Sequence, residues 1–212
     1  MDAGLLDVSA VMAHWRPRYN IAPTQSIAAI RSTESSGLAV DYVRWGLVPF
    51  WADDLAIGNR MINARSETLA EKPAFRNLLG KRRCAIVTDG YYEWQKRGKA
   101  KQPFWIRRSD QRVFAFVGLW DSNRKASDTE VPSATIITAS ASDALTSIHD
   151  RMPIILPPDE LVEWLDPSTT AARALELFDA RDVDLEAQPV STHVNNPRNE
   201  DATCIEPDQA SL

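Results

Sequence analysis

Alternating apolar and polar positions dominate this chain and predict short β-strands separated by loops and a few short helices. Runs of this kind that end at proline, glycine or polar turns are typical of half-buried strands. The predicted strands are 26–32, 40–48, 84–88, 91–95, 104–108, 113–119, 134–138 and 187–190. The predicted helices are 4–14, 66–79, 142–148, 158–165 and 170–178, and the best loop candidate is 122–132.

This order of elements predicts an α+β fold: a single domain with a curved, partly closed, barrel-like and mainly antiparallel β-sheet core flanked by short helices. A length of 212 residues fits one domain that buries a full core without help from disulfides or metals. We assign this domain to residues 1–197. Residues 198–212 are predicted to form a polar C-terminal tail that is frayed.

Composition bears on the cellular setting and on cofactors. The two cysteines, Cys84 and Cys204, lack metal-ligand spacing, and no phosphate-binding glycine loop is present, so we expect neither a metal nor a cofactor. No apolar stretch approaches the roughly 18–20 residues of a membrane span. Residues 1–4 lack the basic start of a signal peptide. We therefore expect a reduced, cytoplasmic protein without a membrane partner, and take a monomer as its working state.

Charge is distributed unevenly along the chain, although the net charge of −5 alone argues mildly against a nucleic-acid partner. Residues 60–108 hold thirteen Lys/Arg against four Asp/Glu, a local balance of +9. Residues 158–208 hold three Arg against thirteen Asp/Glu, a balance of −10. Two differently solvated faces would explain this pattern. Because aromatic residues and glycines accompany the basic stretch, it is also a candidate groove for a single strand.

The segment 61–68 contains the first candidate site residues. Asn63 offers an amide donor and acceptor, and Arg65 offers a planar fork suited to phosphate. Before a helix N-terminus both could face one pocket beside the N-terminal amides of that helix. A polar loop that caps the helix is the alternative interpretation.

Two further segments carry ionisable residues. Glu93 lies among tyrosines and a tryptophan directly after an apolar strand, where desolvation would raise its pKa and suit it to acid–base work. An exposed glutamate on an edge strand fits the pattern equally well. His149 titrates in the physiological range, and Asp150 or another acid could fix its tautomer, while Arg151 adds a phosphate contact. A structural histidine is the alternative for His149.

Aromatic residues surround a turn at 45–51. Trp51, at the end of a predicted strand, is a candidate for stacking on an exposed base, an interaction of about 1–3 kcal/mol, whereas core packing suits Trp45 better. A hydrolase dyad of Cys84 and His149 is conceivable. However, Cys84 lies in an apolar run, which favours a buried structural thiol.

The order of these motifs resembles the SOS response-associated peptidase family, the abasic-site processing proteins of bacteria and eukaryotes. The resemblance runs from Arg18 to Asn196 and includes the segments Val190-Ser191 and Asn195-Asn196 near its end. Its five ordered motifs are Tyr19-Asn20-Ile21-Ala22-Pro23-Thr24, Trp45-Gly46-Leu47-Val48-Pro49, Asn63-Ala64-Arg65-Ser66-Glu67-Thr68, Asp89-Gly90-Tyr91-Tyr92-Glu93-Trp94 and His149-Asp150-Arg151-Met152-Pro153.

The resemblance implies an enzyme that binds single-stranded DNA at abasic sites and needs no cofactor. In the family, the N-terminal cysteine exposed by removal of the initiator methionine condenses with the ring-opened sugar aldehyde and gives a thiazolidine crosslink. By this resemblance Asn63, Glu93 and His149 would be catalytic. Asn63 would orient the sugar or the N-terminal group, Glu93 would act as the acid–base group in ring opening and imine formation, and His149 would assist proton transfer and reversal of the crosslink. The DNA-binding residues would be Arg65, Arg151, Trp51, Pro23, Arg76 and Asn20.

The start of the chain departs from the family pattern. Family members begin Met-Cys-Gly-Arg, whereas this sequence begins Met1-Asp2-Ala3-Gly4, so we expect the family's catalytic segment to be missing from the sequence as written. Neither Cys84 nor Cys204 carries a free α-amine. Three hypotheses remain: a crosslinking enzyme with a longer N-terminus, a non-covalent single-stranded-DNA binding module, and a peptidase that acts on its own leader.

Overall fold

The computed structural model describes residues 12, 15–33, 37–180 and 183–208. Within this part of the chain ten strands form a seven-stranded sheet and a three-stranded sheet. The strands are β1 (Ser26–Ser32), β2 (Leu38–Trp45), β3 (Asn63–Arg65), β4 (Arg83–Thr88), β5 (Tyr91–Arg97), β6 (Ala100–Arg108), β7 (Phe114–Asn123), β8 (Val131–Ser140), β9 (Arg151–Pro153) and β10 (Leu185–Pro189).

The larger sheet closes on itself. Its strands follow the order β2-β1-β4-β7-β8 with antiparallel neighbours, and β8 then pairs in parallel with β2 through Arg44 opposite Ser133 and Trp45 opposite Ala134. Five strands therefore form a ring, and β3 and β9 add to β8 beyond it. The predicted α+β fold with a partly closed, mainly antiparallel sheet is confirmed.

Both faces of the ring are covered by apolar side chains. On β4, Cys84 and Ile86 belong to one buried cluster, and Ala85 between them belongs to the other, as the two-residue period of a strand requires. The second cluster includes Trp164 from a helix, whose indole Nε1 donates to the Cys84 carbonyl at 2.9 Å. Burial of each large side chain stabilises the fold by about 1.5–3 kcal/mol.

The helices are short. Those in the described residues are α1 (Arg76–Leu79), α2 (Pro158–Leu165) and α3 (Ala171–Glu176), with 3-10 turns at Leu55–Arg60, Ser66–Thr68, Leu177–Ala180, Thr192–Asn195 and Ala202–Ile205. In this part of the chain, none is long and apolar enough to cross a membrane. The prediction for 158–165 is confirmed, and the predicted helix at 4–14 lies outside the described residues except for Met12.

Two helix predictions are wrong. The segment 66–79 forms a 3-10 turn and a single α-helical turn rather than one helix, because Pro73 in its middle lacks an N–H and its ring clashes with the preceding turn. The segment 142–148 forms isolated turns, with Thr146 N–H donating to Ser142 and His149 N–H donating to Leu145.

The C-terminal segment packs against the smaller sheet, whose order is β10-β6-β5. Cys204 is fully buried with Val190 and Val194, and Tyr92 and Trp94 of β5 pack against this cluster. Residues 198–208 are polar as predicted, but they are not frayed in the structure, because Cys204 is buried and Pro207 forms a β-bridge with Val190.

Two glycines allow the backbone to cross itself after β2. Gly46 adopts φ +118°, and a Cβ there would lie 2.6 Å from the Gly58 carbonyl oxygen. A Cβ on Gly58 would in turn lie 2.7 Å from the Gly46 carbonyl oxygen. The crossing lets the Gly46 N–H donate to Ala134 at 2.8 Å, which continues the seam between β2 and β8.

Gly46→Ala is therefore expected to lower the free energy of unfolding by roughly 1–3 kcal/mol, because alanine disfavours this φ and its methyl group meets backbone. Urea denaturation measures the change. Gly80→Ala is the control, since Gly80 has a helical φ of −83° and open space around its Cβ position. A Gly46→Ala protein as stable as the Gly80→Ala protein would contradict this account of the crossing.

Candidate functional site

Strands β3, β8 and β9 bring three of the predicted site residues to one face. Asn63 and Arg65 are exposed and Ala64 between them is buried, so both side chains point away from the core. Arg65 pairs with Thr138 on β8, and Arg151 pairs with Ser140 two residues further on. Paired residues share a face of a sheet, and Asn63, Arg65 and Arg151 therefore line one surface.

The two arginines of this surface differ in their partners. Arg151 donates from Nη1 and Nη2 to the two Glu67 carboxylate oxygens at 2.7 and 2.9 Å, and from Nη2 to the Thr138 carbonyl at 2.6 Å. These hydrogen bonds lower the pKa of Glu67 to about 2. Arg65 is exposed and has no ion pair within the described residues. Arg65 is thus the arginine with a free fork, while Arg151 is held by Glu67.

His149 lies at the end of the 143–148 turns, directly before β9. Its Nδ1 accepts from the Arg151 backbone N–H at 3.0 Å, while the nearest Asp150 carboxylate oxygen is 3.4 Å away. The same Nδ1 lies 3.1 Å from the Arg151 carbonyl oxygen, so the backbone of β9 offers it both a donor and an acceptor. The β9 backbone therefore contacts this nitrogen more closely than Asp150, the acid that the sequence suggested as its partner.

Glu93 lies on β5, and its surroundings have opposing effects on its pKa. Burial raises the pKa of Glu93, the charge of His149 lowers it, and the charge of Asp150 raises it again, with burial as the largest effect. Glu93 and His149 are therefore close enough to interact electrostatically. The predicted direction of the pKa change at Glu93 agrees with this environment.

The strand that carries Glu93 is fixed on both sides of it. Gln95, on the same face of β5, donates from Nε2 to the Ser147 carbonyl at 2.9 Å and ties the strand to the turns before His149. Tyr91, also on this face, packs edge-on against Phe116. Its hydroxyl is buried and has no hydrogen-bond partner among the described residues, and burial raises its pKa. The buried phenol of Tyr91 therefore stays protonated.

The aromatic turn Phe50-Trp51 projects into solvent. Phe50 is 65% exposed and Trp51 is 47% exposed, although both are large apolar side chains. Buried Asn123 fixes the turn by donating from Nδ2 to the carbonyls of Pro49 at 2.7 Å and Ala52 at 2.9 Å. Asp121 accepts from the Phe50 N–H at 2.8 Å. A rigid backbone thus presents two exposed rings.

The remaining DNA-binding candidates lie outside the β3–β8–β9 surface. Pro23 is exposed on a turn beside the end of β2, where the Thr24 N–H donates to Trp45 at 2.8 Å. Arg76 is exposed at the beginning of α1. Asn20 is buried, and its Nδ2 donates to the carbonyls of Val194, Asn196 and Asn199 at 3.0–3.2 Å. The Asn20 side chain therefore anchors the C-terminal segment.

Neither cysteine has the environment of a nucleophile. Burial raises the pKa of the Cys84 thiol to about 12, so a Cys84–His149 dyad has no thiolate to use. The Cys204 thiol is buried beside His193 and Asp201, within 4.8 Å of their ligand atoms. These groups already satisfy each other: His193 Nε2 lies 3.2 Å from Asp201, and Cys204 Sγ donates to the Asn199 carbonyl at 3.4 Å. They form a second anchor for the C-terminal segment.

Sequence reasoning missed the residues that hold the site in place. The motif that contains Asn63 and Arg65 also contains Glu67, but nothing in the sequence pairs Glu67 with Arg151, and Asn123 lies in the predicted loop 122–132. Their partners, Arg151 and the 49–52 backbone, are distant in sequence, so no local periodicity reveals them. The order of Asn63-Ala64-Arg65-Ser66-Glu67 and His149-Asp150-Arg151 was the available signal that these segments act together.

Comparison with known proteins gives the same family as the order of these motifs. Residues 4–197 match the SOS response associated peptidase family, abbreviated SRAP. The chain belongs to the SRAP family.

Several SRAP relatives are similar over most of their length. The abasic site processing protein YoaM of Bacillus subtilis is 41% identical over 91% of this chain and 86% of its own. The abasic site processing protein YedK of Escherichia coli is 34% identical over 90% of this chain and 84% of its own. The abasic site processing protein HMCES of Gallus gallus is 34% identical over 91% of this chain and 67% of its own.

Two crystal structures share the fold. A protein from Bacteroides thetaiotaomicron superimposes with a TM-score of 0.76 at 28% identity and covers 87% of this chain and 82% of its own. A protein from Bordetella bronchiseptica gives a TM-score of 0.72 at 26% identity, with 90% and 92% covered. The ring of strands is therefore shared with solved relatives.

Glu67→Gln tests the ion pair between Glu67 and Arg151 on the surface formed by β3, β8 and β9. We expect a loss of unfolding free energy below about 1 kcal/mol, because both groups are reached by solvent. The bound carboxylate has a lowered pKa, so its contribution is complete above the ordinary value of 4.5 and declines as the pH falls towards about 2. The deficit of the variant should be smaller at about pH 3.5 than at about pH 6.

Chemical denaturation at the two pH values measures this difference, with Glu71→Gln as the control for an exposed glutamate on the same segment. A Glu67→Gln deficit that is the same at both pH values would show that the carboxylate is not held by Arg151 in solution.

Proposed function

We propose that this chain binds single-stranded DNA at abasic sites, and that its surface supports covalent thiazolidine chemistry when an N-terminal cysteine is supplied. The observation that carries the proposal is the exposed pair Asn63 and Arg65. Both side chains face solvent from a rigid strand and have no side-chain hydrogen bond or ion pair within the described residues. They lie beside Arg151, with Glu93 and His149 close by.

Binding of the strand combines charge and stacking. The Arg65 fork suits a phosphate, and such contacts position a nucleic acid without reading its sequence. The exposed Phe50 and Trp51 rings provide stacking surfaces worth about 1–3 kcal/mol per base. A kinked single strand can satisfy both contacts because its bases are free to leave the stack. A continuous duplex keeps them paired.

The reaction requires protons to move at the sugar. Opening of the abasic sugar ring transfers a proton from the C1′ hydroxyl to the ring oxygen and gives the aldehyde. An α-amine then adds to the aldehyde and water leaves to form an imine, and the cysteine thiol adds to the imine carbon to close the thiazolidine. Partly buried Glu93, with its raised pKa, suits the first proton transfer. His149, which interacts electrostatically with Glu93, suits proton return during reversal.

The thiol and amine must come from one N-terminal residue. Cys84 and Cys204 are interior to the chain, so neither has an α-amine. The chain as written therefore offers the binding surface and the proton-transfer groups. Addition of an N-terminal cysteine is the change that separates a crosslinking enzyme from a non-covalent binding module.

We expect single-stranded DNA with an abasic site to bind more tightly than its duplex, with an affinity that falls steeply as salt rises. Arg65→Ala should weaken binding about tenfold for every sequence, since it removes a charged contact to phosphate. Fluorescence anisotropy at several salt concentrations measures both effects.

Arg112→Ala is the matched control, because Arg112 is 81% exposed and lies after β6, away from β3. Affinity that does not change with salt, or that favours duplex, would refute the proposed binding mode.

A version extended so that its mature chain begins Cys-Gly-Arg should form a heat-stable adduct with abasic DNA, whereas the chain as written should form none. In the extended version, Glu93→Gln should slow adduct formation about 10²–10⁴-fold with DNA binding nearly intact, since only proton transfer is removed. His149→Ala should mainly slow release of a preformed adduct. Time courses on denaturing gels measure both rates.

A melting curve for each variant separates loss of chemistry from loss of folding. If Glu93→Gln and His149→Ala proteins form and release the adduct at the parental rate, both residues are structural and the assignment fails. An adduct formed by the chain as written would contradict the requirement for an N-terminal cysteine.

A further inference from the structure

The ribbon formed by β5 and β6 ends in four exposed cations. Gly98, with φ +61°, makes the turn between the strands. No aspartate or glutamate occurs from Trp94 to Arg108, so the part of the ribbon beyond Glu93 has no acidic residue of its own. We name this end of the ribbon the basic tip; its cations are Lys96, Arg97, Lys99 and Lys101.

The basic tip has an arrangement of charge that favours an anion. Lys96 and Lys101 are directly opposite each other across the two strands. Like charges in that position destabilise a strand pair, whereas a bound anion would stabilise it. No ion pair involves the tip cations within the described part of the chain, while Arg107 and Arg108 at the other end of β6 pair with Glu186 and Asp110.

The basic tip is fixed relative to the candidate site. Arg97 Nε donates to Gln95 Oε1 at 2.9 Å, and Gln95 Nε2 donates to the Ser147 carbonyl at 2.9 Å, two residues before His149. Glu93 lies on the same strand four positions before Arg97. At about 3.3 Å per residue the tip begins about 13 Å from Glu93, a distance of a few nucleotides along a strand.

We propose that the basic tip binds the sugar–phosphate backbone of DNA a few nucleotides away from the abasic site. This inference rests on the proposed function, because it extends the path of the strand beyond the lesion. The partner is assigned from its chemistry: a flexible chain of phosphates matches four cations spread over both edges of a two-stranded ribbon. Lysines at a ribbon tip give such contacts without reading base sequence.

The test compares abasic single strands of about five and about twenty nucleotides, since only the longer one spans from the lesion to the tip. The double variant Lys96→Gln, Lys101→Gln should bind the long strand with a slope of log K against log salt that is smaller by about 1.4, or 0.7 for each lost phosphate contact. Its affinity for the short strand should match the parent. The control is Arg108→Gln, Arg112→Gln, which removes two charges at the opposite end of β6.

A melting temperature at or above that of the parent is expected for the tip variant, because the opposed lysines are gone. A parental salt slope on the long strand in the tip variant, or an equal loss in the control variant, would overturn the inference while leaving the proposed function intact. If the parent binds the short strand but Arg65→Ala has no effect, the proposed site is wrong. If the parent binds neither strand, both proposals are wrong.

Discussion

Strand β8 forms backbone hydrogen bonds with four other strands, and the candidate surface depends on that sharing. Along one edge β8 pairs first with β7 and then with β9, and along the other edge first with β2 and then with β3. The buried N–H and C=O groups of a central strand must all be paired, because each one left unsatisfied costs about 1–3 kcal/mol. Because β8 changes partners along both edges, these groups stay paired. The same change places Arg65 on β3 along one edge of β8 and Arg151 on β9 along the other, with both side chains on one face of the sheet.

The electrostatics of the surface follow from which charges the fold neutralises. Arg151 is fixed by Glu67 and by the Thr138 carbonyl, whereas Arg65 remains exposed on β3, across β8 from Arg151. The carboxylate that holds Arg151 also places a negative charge near any bound phosphate. Glu93 has the opposite environment, since its burial favours the protonated form. The fold thus gives Glu67 an environment that favours its ionised form and Glu93 one that favours its protonated form.

The cations of the basic stretch at 60–108 have different environments in the fold: some are buried, some are paired and some are exposed. Arg83 is buried and donates to the carbonyls of Trp164, Leu79 and Asp166, which makes it a structural residue of the core. Arg82 lies against the Trp120 ring and pairs with Asp121. Within the described residues, the exposed cations that form no ion pair include Arg65 and those of the basic tip. A local balance of +9 therefore overstates the positive charge that a nucleic acid would meet.

The sequence by itself determined the fold class, most of the strands and the motifs that mark the SRAP family. Strand positions are readable because a two-residue alternation is a local property; the prediction for 26–32 coincides with β1. The order of five motifs also predicts that Asn63, Arg65, Glu93, His149 and Arg151 belong to one site, and this stays a prediction. The helix predicted at 66–79 is the exception among the local features, because Pro73 interrupts it.

Only the tertiary structure decided the pairing of Arg151 with Glu67, the burial of Asn20 under the C-terminal segment and the support of Phe50 and Trp51 by Asn123. The partners in these contacts are 71 to 174 residues apart along the chain. A sequence pattern records which face of its own strand a side chain occupies. It does not record which distant backbone carbonyl or carboxylate will satisfy that side chain, because this depends on the order of strands around β8.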